Sequence, residues 1–215
     1  MTATAQRLAA SEQAAANRVP QRTRPMPPAF KLITDPTRES TLTSDFVDAM
    51  SALASGVVLV TVWVGGRPWG MTVTAFASVS AEPPTVLVSL GSETTSAREI
   101  TATGSFGVSI LAEEQLAVAR LGSEPGAAKF LEPFVDRGDG SSDSPVVAGA
   151  LAHLDCELSD AVQIADHTIL FGRVRAARAS CSGRPLLYQR RGYRTLGDRA
   201  AGRPPTETEL KCLSS

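Results

Sequence analysis

The fold is decided by Trp69-Gly70-Met71-Thr72-Val73-Thr74-Ala75-Phe76-Ala77-Ser78-Val79-Ser80, a stretch in which side chains alternate with a period of two. Such a period puts alternate residues on opposite faces of a β-strand, so the pattern predicts one strand. Met71, Val73, Ala75, Ala77 and Val79 share one face, and Thr72, Thr74, Phe76, Ser78 and Ser80 share the other. The hydroxyl-rich face has two interpretations: a solvent-facing strand, where threonine is favoured anyway, or a polar ligand laid along the strand.

Neighbouring segments extend this strand into a sheet. Residues 57–64 form a dense β-branched run, and Gly65 and Gly66 provide a turn into the decisive stretch. Pro83 and Pro84 follow, and residues 85–90 predict the next strand. Further strands are predicted over residues 106–111, 150–159, 162–165, 168–176 and 186–188.

Helices are few in the predicted pattern. One begins at an N-cap on Thr43 or Ser44 and ends at Gly56, a short one runs through Ile100, and a third covers residues 112–121. A long loop is predicted over residues 122–144. Many short strands with few helices favour a mainly β fold, a β-barrel with helical additions, over a parallel doubly wound sheet.

The 215 residues predict a single domain with two irregular ends. Residues 1–42 are rich in Pro, Ala, Thr and Arg and poor in large apolar side chains, which predicts a disordered N-terminal extension. Residues 43–197 form the predicted domain, and residues 198–215 form a predicted mobile tail.

Composition excludes several classes of protein. The chain has 22 acidic and 21 basic residues, so its net charge of −1 provides no bulk attraction for nucleic acid or an anionic membrane. The longest apolar stretch is far shorter than the roughly 18 residues of a membrane span, and the start of the chain lacks a signal-peptide core. The three cysteines are odd in number and lack metal-ligand spacing. These features predict a cytoplasmic protein without a metal site or a disulfide framework.

Hydroxyl side chains cluster ahead of the short helix, in Gly91-Ser92-Glu93-Thr94-Thr95-Ser96. A helix N-terminus offers free backbone N–H groups and the positive end of a dipole, which suit a phosphate. Ordinary N-capping explains the same residues, and the local sequence leaves both interpretations open.

Histidine and arginine provide the remaining candidates. His153 alternates with apolar residues and is predicted to be a structural side chain on a strand surface. His167 follows Asp166 between two strands, where it either contacts a ligand or occupies a turn without function. Seven arginines and no acid lie within residues 173–194. They indicate a pyrophosphate-bearing ligand, a solvated strand face or an interface with an acidic region of a second subunit.

The order of these segments resembles the flavin reductase like family, the small reductase component of two-component flavin-dependent monooxygenases. The residues that carry the resemblance are Gly56 to Thr61, the Trp69 to Ser80 run, Pro83-Pro84, Gly104-Ser105-Phe106-Gly107-Val108-Ser109-Ile110-Leu111, Leu154-Asp155-Cys156, Asp166-His167, Phe171-Gly172-Arg173-Val174 and Pro185-Leu186-Leu187-Tyr188. The motifs of Rossmann folds, P-loops, zincins and α/β-hydrolases are absent from the sequence.

The resemblance implies a six-stranded antiparallel split β-barrel that works as a homodimer and binds FMN or FAD near the subunit interface. The residues it assigns to the flavin are Met71, Thr72, Val73, Thr74, Ala75, Ser89, Leu90, Ser92, Thr95 and Ser96. The implied reaction is hydride transfer from NADH or NADPH to flavin, with reduced flavin passed to a separate monooxygenase. The alternatives are a flavin-binding module without reductase activity and an oxidase that holds FMN tightly.

The resemblance also suggests a nicotinamide site. Its predicted members are Asp166, His167, Arg190, Arg191 and Tyr193, with His167 as the catalytic residue that orients NADH rather than acting as acid or base. The chain departs from the family at two positions. Ala165 replaces the usual Gly before Asp166, and Ser109 replaces a common Asn.

Overall fold

A computed structural model describes residues 36–136 and 142–197. Within these two ranges, three helices, a 3₁₀ turn and ten strands follow one another. They are α1 (Pro36–Ser51), β1 (Ser55–Gly56), β2 (Val58–Val64), β3 (Arg67–Val73), β4 (Phe76–Ala81), β5 (Pro84–Gly91), α2 (Thr95–Thr103), β6 (Ser105–Ile110), the 3₁₀ turn (Glu113–Gln115), α3 (Leu116–Ser123), β7 (Ala152–Ile164), β8 (His167–Ala179), β9 (Leu186–Gln189) and β10 (Gly192–Thr195). The mainly β fold with helical additions is therefore confirmed.

The main sheet begins and ends with the two halves of the decisive stretch. Its order is β3-β2-β6-β7-β8-β5-β4, and β1-β9-β10 form a second, three-stranded sheet. The single strand predicted over residues 69–80 is wrong, because the chain breaks at Thr74 and Ala75. β3 pairs with β2 at one edge and β4 pairs with β5 at the other. The sheet thus has seven strands, where the resemblance implies six. A two-residue link between opposite edges requires the sheet to curl.

Strand β2 is buried on both faces. Val58, Val60 and Val62 pack into one core with residues of β5, β6 and β8, including Val88, Phe106 and Leu170. Val57, just before the strand, and Leu59 pack into a second core, whose other buried members are Leu111, Val118, Ala119, Leu131, Val147 and Leu186. Burial of both faces over Val58 to Val62 accounts for the apolar run in the sequence, in which Thr61 is the one polar residue, whereas Trp63 near the end of the strand is exposed. Each such side chain contributes about 1.5–3 kcal/mol by leaving water.

Helix α1 begins and ends earlier than the sequence predicts. It starts at Pro36 rather than at Thr43 or Ser44, since proline is tolerated in a first turn, where its missing N–H has no partner to lose. It ends at Ser51 because Ser55 and Gly56 are extended and pair with β9. The predicted boundary at residue 42 therefore falls inside a helix. The disorder predicted for the remainder of the extension, and the tail at 198–215, lie outside the described residues.

His153 is buried rather than on a strand surface, so that prediction is wrong. Its ring nitrogens lie 2.9 Å from Ser109 Oγ and 3.0 Å from Ser144 Oγ, and 3% of the residue is exposed. Burial lowers the pKa of His153. The segment around Ser144 covers the strand, and strand alternation alone does not predict this cover.

The neighbouring Asp155 completes this network. Its carboxylate accepts hydrogen bonds from Ser142 Oγ at 2.6 Å and from Ser144 N at 3.1 Å. Burial acts to raise the Asp155 pKa, but these bonds and His153 outweigh burial and lower it. Asp155 therefore stays ionised, and it fastens the segment that follows residue 141 to β7.

The two described cysteines differ. Cys156 is a free thiol in the main core, and burial raises its pKa to about 12. Cys181 is disulfide-bonded, whereas the odd number of cysteines in the sequence predicted no disulfide framework. Within the described ranges, none of the helices has both the length and the apolar character that a membrane span requires.

Ala165 adopts a backbone conformation that suits glycine. Ile164 pairs with His167, so Ala165 and Asp166 form a two-residue hairpin loop. The φ angle of Ala165 is +53°, in the left-handed region that a side chain with a Cβ disfavours. Glycine at this place in the family therefore has a steric reason.

We expect Ala165→Gly to stabilise the protein. Glycine adopts a positive φ without the steric cost that alanine carries, which we expect to raise the free energy of unfolding by about 1 kcal/mol. Chemical denaturation measures the change. The control is Ala177→Gly, in the regular part of β8, which should lower stability because glycine loses more backbone entropy. A loss of stability in Ala165→Gly of the same size as in the control would contradict this explanation.

Candidate functional site

Thr74 and Ala75 carry the chain between the sheet edges, and both are exposed. Phe76 N–H donates to Thr74 O and Ser89 N–H donates to Ala75 O, each at 3.0 Å. The second bond ties the link to the outward-facing Ser89 of β5. Two groups of residues predicted to contact flavin are thereby brought together.

A cavity of about 410 Å³ opens beside this link. Its lining residues are Val57, Thr72, Val73, Thr74, Ser123, Tyr188, Arg191 and Tyr193. Residues predicted for flavin on β3 therefore share a cavity with Arg191 and Tyr193, predicted for the nicotinamide dinucleotide. The volume lies within the range of about 300–1,000 Å³ that is typical of small-molecule sites.

Sequence reasoning missed Val57, Ser123 and Tyr188 as lining residues. Tyr188 was predictable from hairpin spacing, because a two-residue loop between β9 and β10 pairs it directly with Tyr193. The two rings are in edge contact, with centroids 5.3 Å apart. Ser123 comes from the end of α3, and no local pattern indicates that α3 approaches β3.

The Thr72 hydroxyl is engaged inside the protein. It donates to Ala119 O of α3 at 2.8 Å, and Tyr193 OH donates to the same oxygen at 3.2 Å. α3 can approach this closely because Gly122 has no side chain. A Cβ at Gly122 would lie 2.9 Å from Thr72 N. Thr72 therefore fixes the wall of the cavity, and exposed Thr74 has the hydroxyl that is open to a ligand.

Three predicted flavin residues turn their side chains toward the main core. Val73 and Leu90 are buried there and Met71 packs against it. Any contact of Val73 or Leu90 with a ligand must therefore be made through backbone atoms. The inward and outward positions alternate along each strand, as the period of two requires.

The turn between β5 and α2 holds a cluster of hydroxyl groups. Thr94 is the N-cap, and its hydroxyl accepts from Ala97 N at 3.2 Å and donates to Gly91 O at 2.8 Å. Ser92 Oγ lies 2.9 Å from Thr168 Oγ1, and Ser92 N donates to Asp166 O at 2.9 Å. Thr94 caps the helix, so capping does not account for the neighbouring hydroxyl groups of Thr95 and Ser96.

Ser96 has a buried hydroxyl without a partner. The residue is 0% exposed, and among the described residues its Oγ is the buried side-chain oxygen that makes no hydrogen bond. An unsatisfied buried hydroxyl costs about 1–3 kcal/mol, so native proteins rarely keep one without a reason. It lies in the first turn of α2, beside backbone N–H groups that have no helical acceptor.

His167 is the first residue of β8 and pairs with Gly91. Its Nδ1 lies 2.8 Å from Asp166 Oδ1, and both side chains are exposed. The hydrogen bond with His167 lowers the pKa of Asp166. If Nδ1 carries the proton that is shared with Asp166, Nε2 is left as the ring atom that faces solvent or a ligand.

The predicted nicotinamide residues lie in two places. His167 and Asp166 adjoin the Ser92 turn, whereas Arg191 and Tyr193 line the cavity at Thr74. Strand β5 connects the two, because Ser89 bonds to Ala75 and Gly91 pairs with His167. Two residues of strand separate these contacts, about 7 Å at the usual rise. The arrangement is one strip, from the cavity along β5 to the N-terminus of α2.

The arginine-rich segment is spread over several elements. Arg175 pairs with Glu157, Arg184 with Glu113 and Arg191 with Asp48, so three of its cations already face separate carboxylates. These three arginines therefore do not form one basic patch, and an anionic ligand for the segment stays a prediction. Arg191 is the one that lines the 410 Å³ cavity.

Comparison with known proteins identifies the family. Residues 50–197 match the family described as "Flavin reductase like domain". The chain belongs to this flavin reductase family. The match begins near the end of α1 and reaches the last described residue, so it includes both sheets and the whole strip.

Its relatives include named flavin reductases. The chain is 36% identical over 149 residues to the reductase subunit HsaB of a flavin-dependent monooxygenase from Rhodococcus jostii (strain RHA1), covering 69% of this chain and 75% of that protein. It is 35% identical over 163 residues to an NADH:riboflavin 5′-phosphate oxidoreductase of Streptomyces pristinaespiralis, covering 75% and 92%. It spans 47% of the length of a probable flavin reductase of Rhizobium meliloti (strain 1021), at 35% identity.

Solved structures of flavin reductases have the same fold. The NADH:FAD oxidoreductase SgcE6 of Streptomyces globisporus C-1027, in complex with NAD and FAD fragments, superposes with a TM-score of 0.67 at 30% identity, over 78% of this chain and 98% of that one. BorF, the flavin reductase component of a bacterial two-component tryptophan halogenase, gives 0.66 at 34% identity, over 73% and 99%.

The strip fits the parts of a flavin. FMN and FAD share a flat ring system, a hydroxylated chain and a phosphate. The first turn of α2 has backbone N–H donors for a phosphate and contains the unpaired Ser96 hydroxyl, and exposed Thr74 lines a cavity of about 410 Å³. N-capping, which Thr94 already provides, does not explain the unpaired Ser96 hydroxyl.

We expect Ser96→Ala to weaken FMN binding while stabilising the free protein. Loss of the hydroxyl removes one phosphate donor, which should lower FMN affinity about five- to tenfold, with no change for riboflavin, which lacks the phosphate. The free protein should melt at a higher temperature, because a buried unsatisfied oxygen is gone. Fluorescence titration and thermal melting measure the two effects.

The matched control is Thr101→Ala on the same helix, whose hydroxyl donates to Ala97 O at 2.8 Å. It should leave the affinity for both flavins unchanged. Equal losses of FMN and riboflavin affinity in Ser96→Ala would contradict a phosphate contact.

Proposed function

We propose that this protein transfers a hydride from NADH or NADPH to FMN or FAD along the strip from Thr74 to Ser96, and that the reduced flavin leaves for a separate monooxygenase. The relatives support the reaction, since several are named NADH:flavin oxidoreductases or reductase components of monooxygenases. The observation that carries the site is the unpaired Ser96 hydroxyl at the end of a strip that begins at a ring-sized cavity.

The residues of the strip bind and orient. Thr74 and Ala75 present exposed backbone and a free hydroxyl to the ring, and Thr72 and Tyr193 hold the cavity wall through Ala119 O. Ser89, Ser92 and Thr95 follow along β5 toward the phosphate end, with Ser96. Bound flavin supplies the redox chemistry, as the acceptor of the hydride. The protein supplies position, and no residue of the strip needs to act as a general base.

The test is NADH or NADPH oxidation with added flavin. Purified protein should oxidise the dinucleotide at a rate that rises with FMN or FAD and then saturates. The assay across the four flavin and dinucleotide pairs also identifies the preferred substrates. Absence of turnover with all four pairs would overturn the proposal in favour of a flavin-binding module. A yellow protein that ignores added flavin would favour a tight-FMN oxidase.

We expect His167→Ala to raise the KM for NADH. Its Nε2 is free to contact the dinucleotide while Asp166 holds Nδ1, so removal of the ring costs one hydrogen bond, about three- to tenfold in KM. Steady-state kinetics at saturating FMN measure it. The control is His153→Gln, whose buried network lies away from the strip and whose KM should stay near the wild-type value. An unchanged KM and turnover in His167→Ala would contradict the role.

We also propose that the curled sheet is a split barrel and that the protein is a homodimer with the flavin near the interface. Thr74 and Ala75 join the two sheet edges covalently, as a barrel requires. Helix α1 has exposed apolar side chains at Leu42, Phe46 and Met50, and Leu53, just after the helix, extends this stripe. Leu53 adjoins a second cavity of about 470 Å³, which Thr74, Ala75, Phe76 and Leu87 also line. A second copy that covers this stripe would cover the ring end of the strip as well.

We expect Phe46→Glu to shift the protein from dimer to monomer. Phe46 is 62% exposed in one chain, and a charge on the stripe would be buried without a partner in the dimer. Light scattering after size exclusion measures the mass. Ser44→Asp, on the opposite side of α1, is the control and should remain dimeric. A wild-type chain that is monomeric at micromolar concentration would contradict the homodimer.

A further inference from the structure

The hairpin tip at the 410 Å³ cavity has a strained backbone. Gln189 pairs with Gly192, so Arg190 and Arg191 are the two central residues of the β9–β10 loop. Their φ angles are +48° and +57°. Positive φ at both positions defines a type I′ turn, where Asn-Gly is strongly preferred. Two arginines are a costly choice for this turn, because each Cβ crowds its own backbone.

Core packing does not require these arginines. Both residues are exposed, and the hydrogen bonds that fix the tip use groups that other residues also have. Arg190 N–H donates to Ser51 O of α1 at 2.7 Å. The Gln189 side chain donates to Ala52 O at 2.8 Å. An Asn-Gly tip would keep both hydrogen bonds and would relieve the strain. The arginine side chains themselves are therefore the reason that the tip keeps a less stable turn.

Arg191 is the tip residue that lines this cavity, together with Thr72, Thr74 and Tyr193, and it also lines a neighbouring pocket with Asp48. Its guanidinium lies 3.2 Å from Asp48 Oδ1 on α1, and both side chains are mostly exposed. An exposed ion pair of this kind is weak and exchanges readily for a better anion. A guanidinium binds two phosphate oxygens in a bidentate manner, which a single carboxylate oxygen at 3.2 Å does not match.

We propose that Arg191 binds the diphosphate of the pyridine dinucleotide and that Asp48 pairs with Arg191 in the free protein until the diphosphate displaces it. This inference rests on the proposed function. The strained turn sets the direction of the Arg191 side chain, and the Asp48 carboxylate pairs with it in the free protein. Asp48 therefore competes with the ligand, so its removal tightens binding while the loss of Arg191 weakens it.

The first experiment replaces the tip by Arg190→Asn with Arg191→Gly. The melting temperature should rise by about 3–6 °C, since two strained residues are relieved. With FMN as the acceptor, NADH is the only diphosphate present, and its KM should rise about five- to twentyfold with kcat within about twofold of wild type. ADP-ribose, which has the diphosphate but no nicotinamide, should lose affinity by a similar factor in calorimetry without flavin.

The second experiment is Asp48→Asn. The KM for NADH should fall about two- to fivefold, as expected when one nearby exposed charge is removed, and the gain should vanish at high salt. Asp48→Asn should have no effect in the Arg191→Gly background, because Asp48 acts through Arg191. The control is Asp45→Asn on the same helix, which should leave the KM unchanged.

Two outcomes overturn the inference without touching the proposed function. One is a stabilised tip variant whose affinity for NADH and ADP-ribose equals that of wild type. The other is a shift confined to the KM for FAD, which would assign Arg191 to the flavin's own diphosphate. The proposed function fails separately, if wild-type protein with FMN oxidises neither NADH nor NADPH.

Discussion

The structure depends on the covalent link that Thr74 and Ala75 make between the two edges of one sheet. Five strands lie between β3 and β4 in the sheet, yet these two strands are consecutive in the chain. The link limits how flat the sheet can be and places exposed backbone where the edges approach. Residues from β3, β5 and the β9–β10 hairpin meet there because the curl brings them together. The proposed flavin strip begins at this link.

Much of this organisation is visible in the sequence because burial sets side-chain periods. The unbroken run at β2 and the alternation on both sides of the Thr74 link predicted strands correctly. The break itself was not predictable, because the alternation in the sequence continues through Thr74 and Ala75. In the structure, the core-facing side chains change from Met71 and Val73 before the link to Phe76 after it. The hydroxyl-rich face was similarly ambiguous between a solvent-facing strand and a ligand site. Thr72 faces α3 and Thr74 faces the cavity, although the two are alternate residues of one face.

The parts of the candidate site that sequence could not predict are those that depend on long-range packing. Nothing near Ser123 indicates that it lines the cavity, and nothing near Asp48 indicates that it pairs with Arg191, since each lies on a helix that approaches from elsewhere in the chain. His153 looked like a surface residue because the segment around Ser144 that covers it belongs to a loop without a periodic pattern. Ser96 was in the predicted hydroxyl cluster, but only the burial of its oxygen separates it from Thr94, the ordinary N-cap.

Strand β2 separates two apolar interiors and belongs to both. Successive residues from Val57 to Val62 pack against different sets of neighbours, so a substitution at each position must fit its own set. We therefore expect this stretch to tolerate few substitutions. Its amide protons, shielded by a partner strand on either side and by packed layers above and below, should be among the last to exchange with deuterated water.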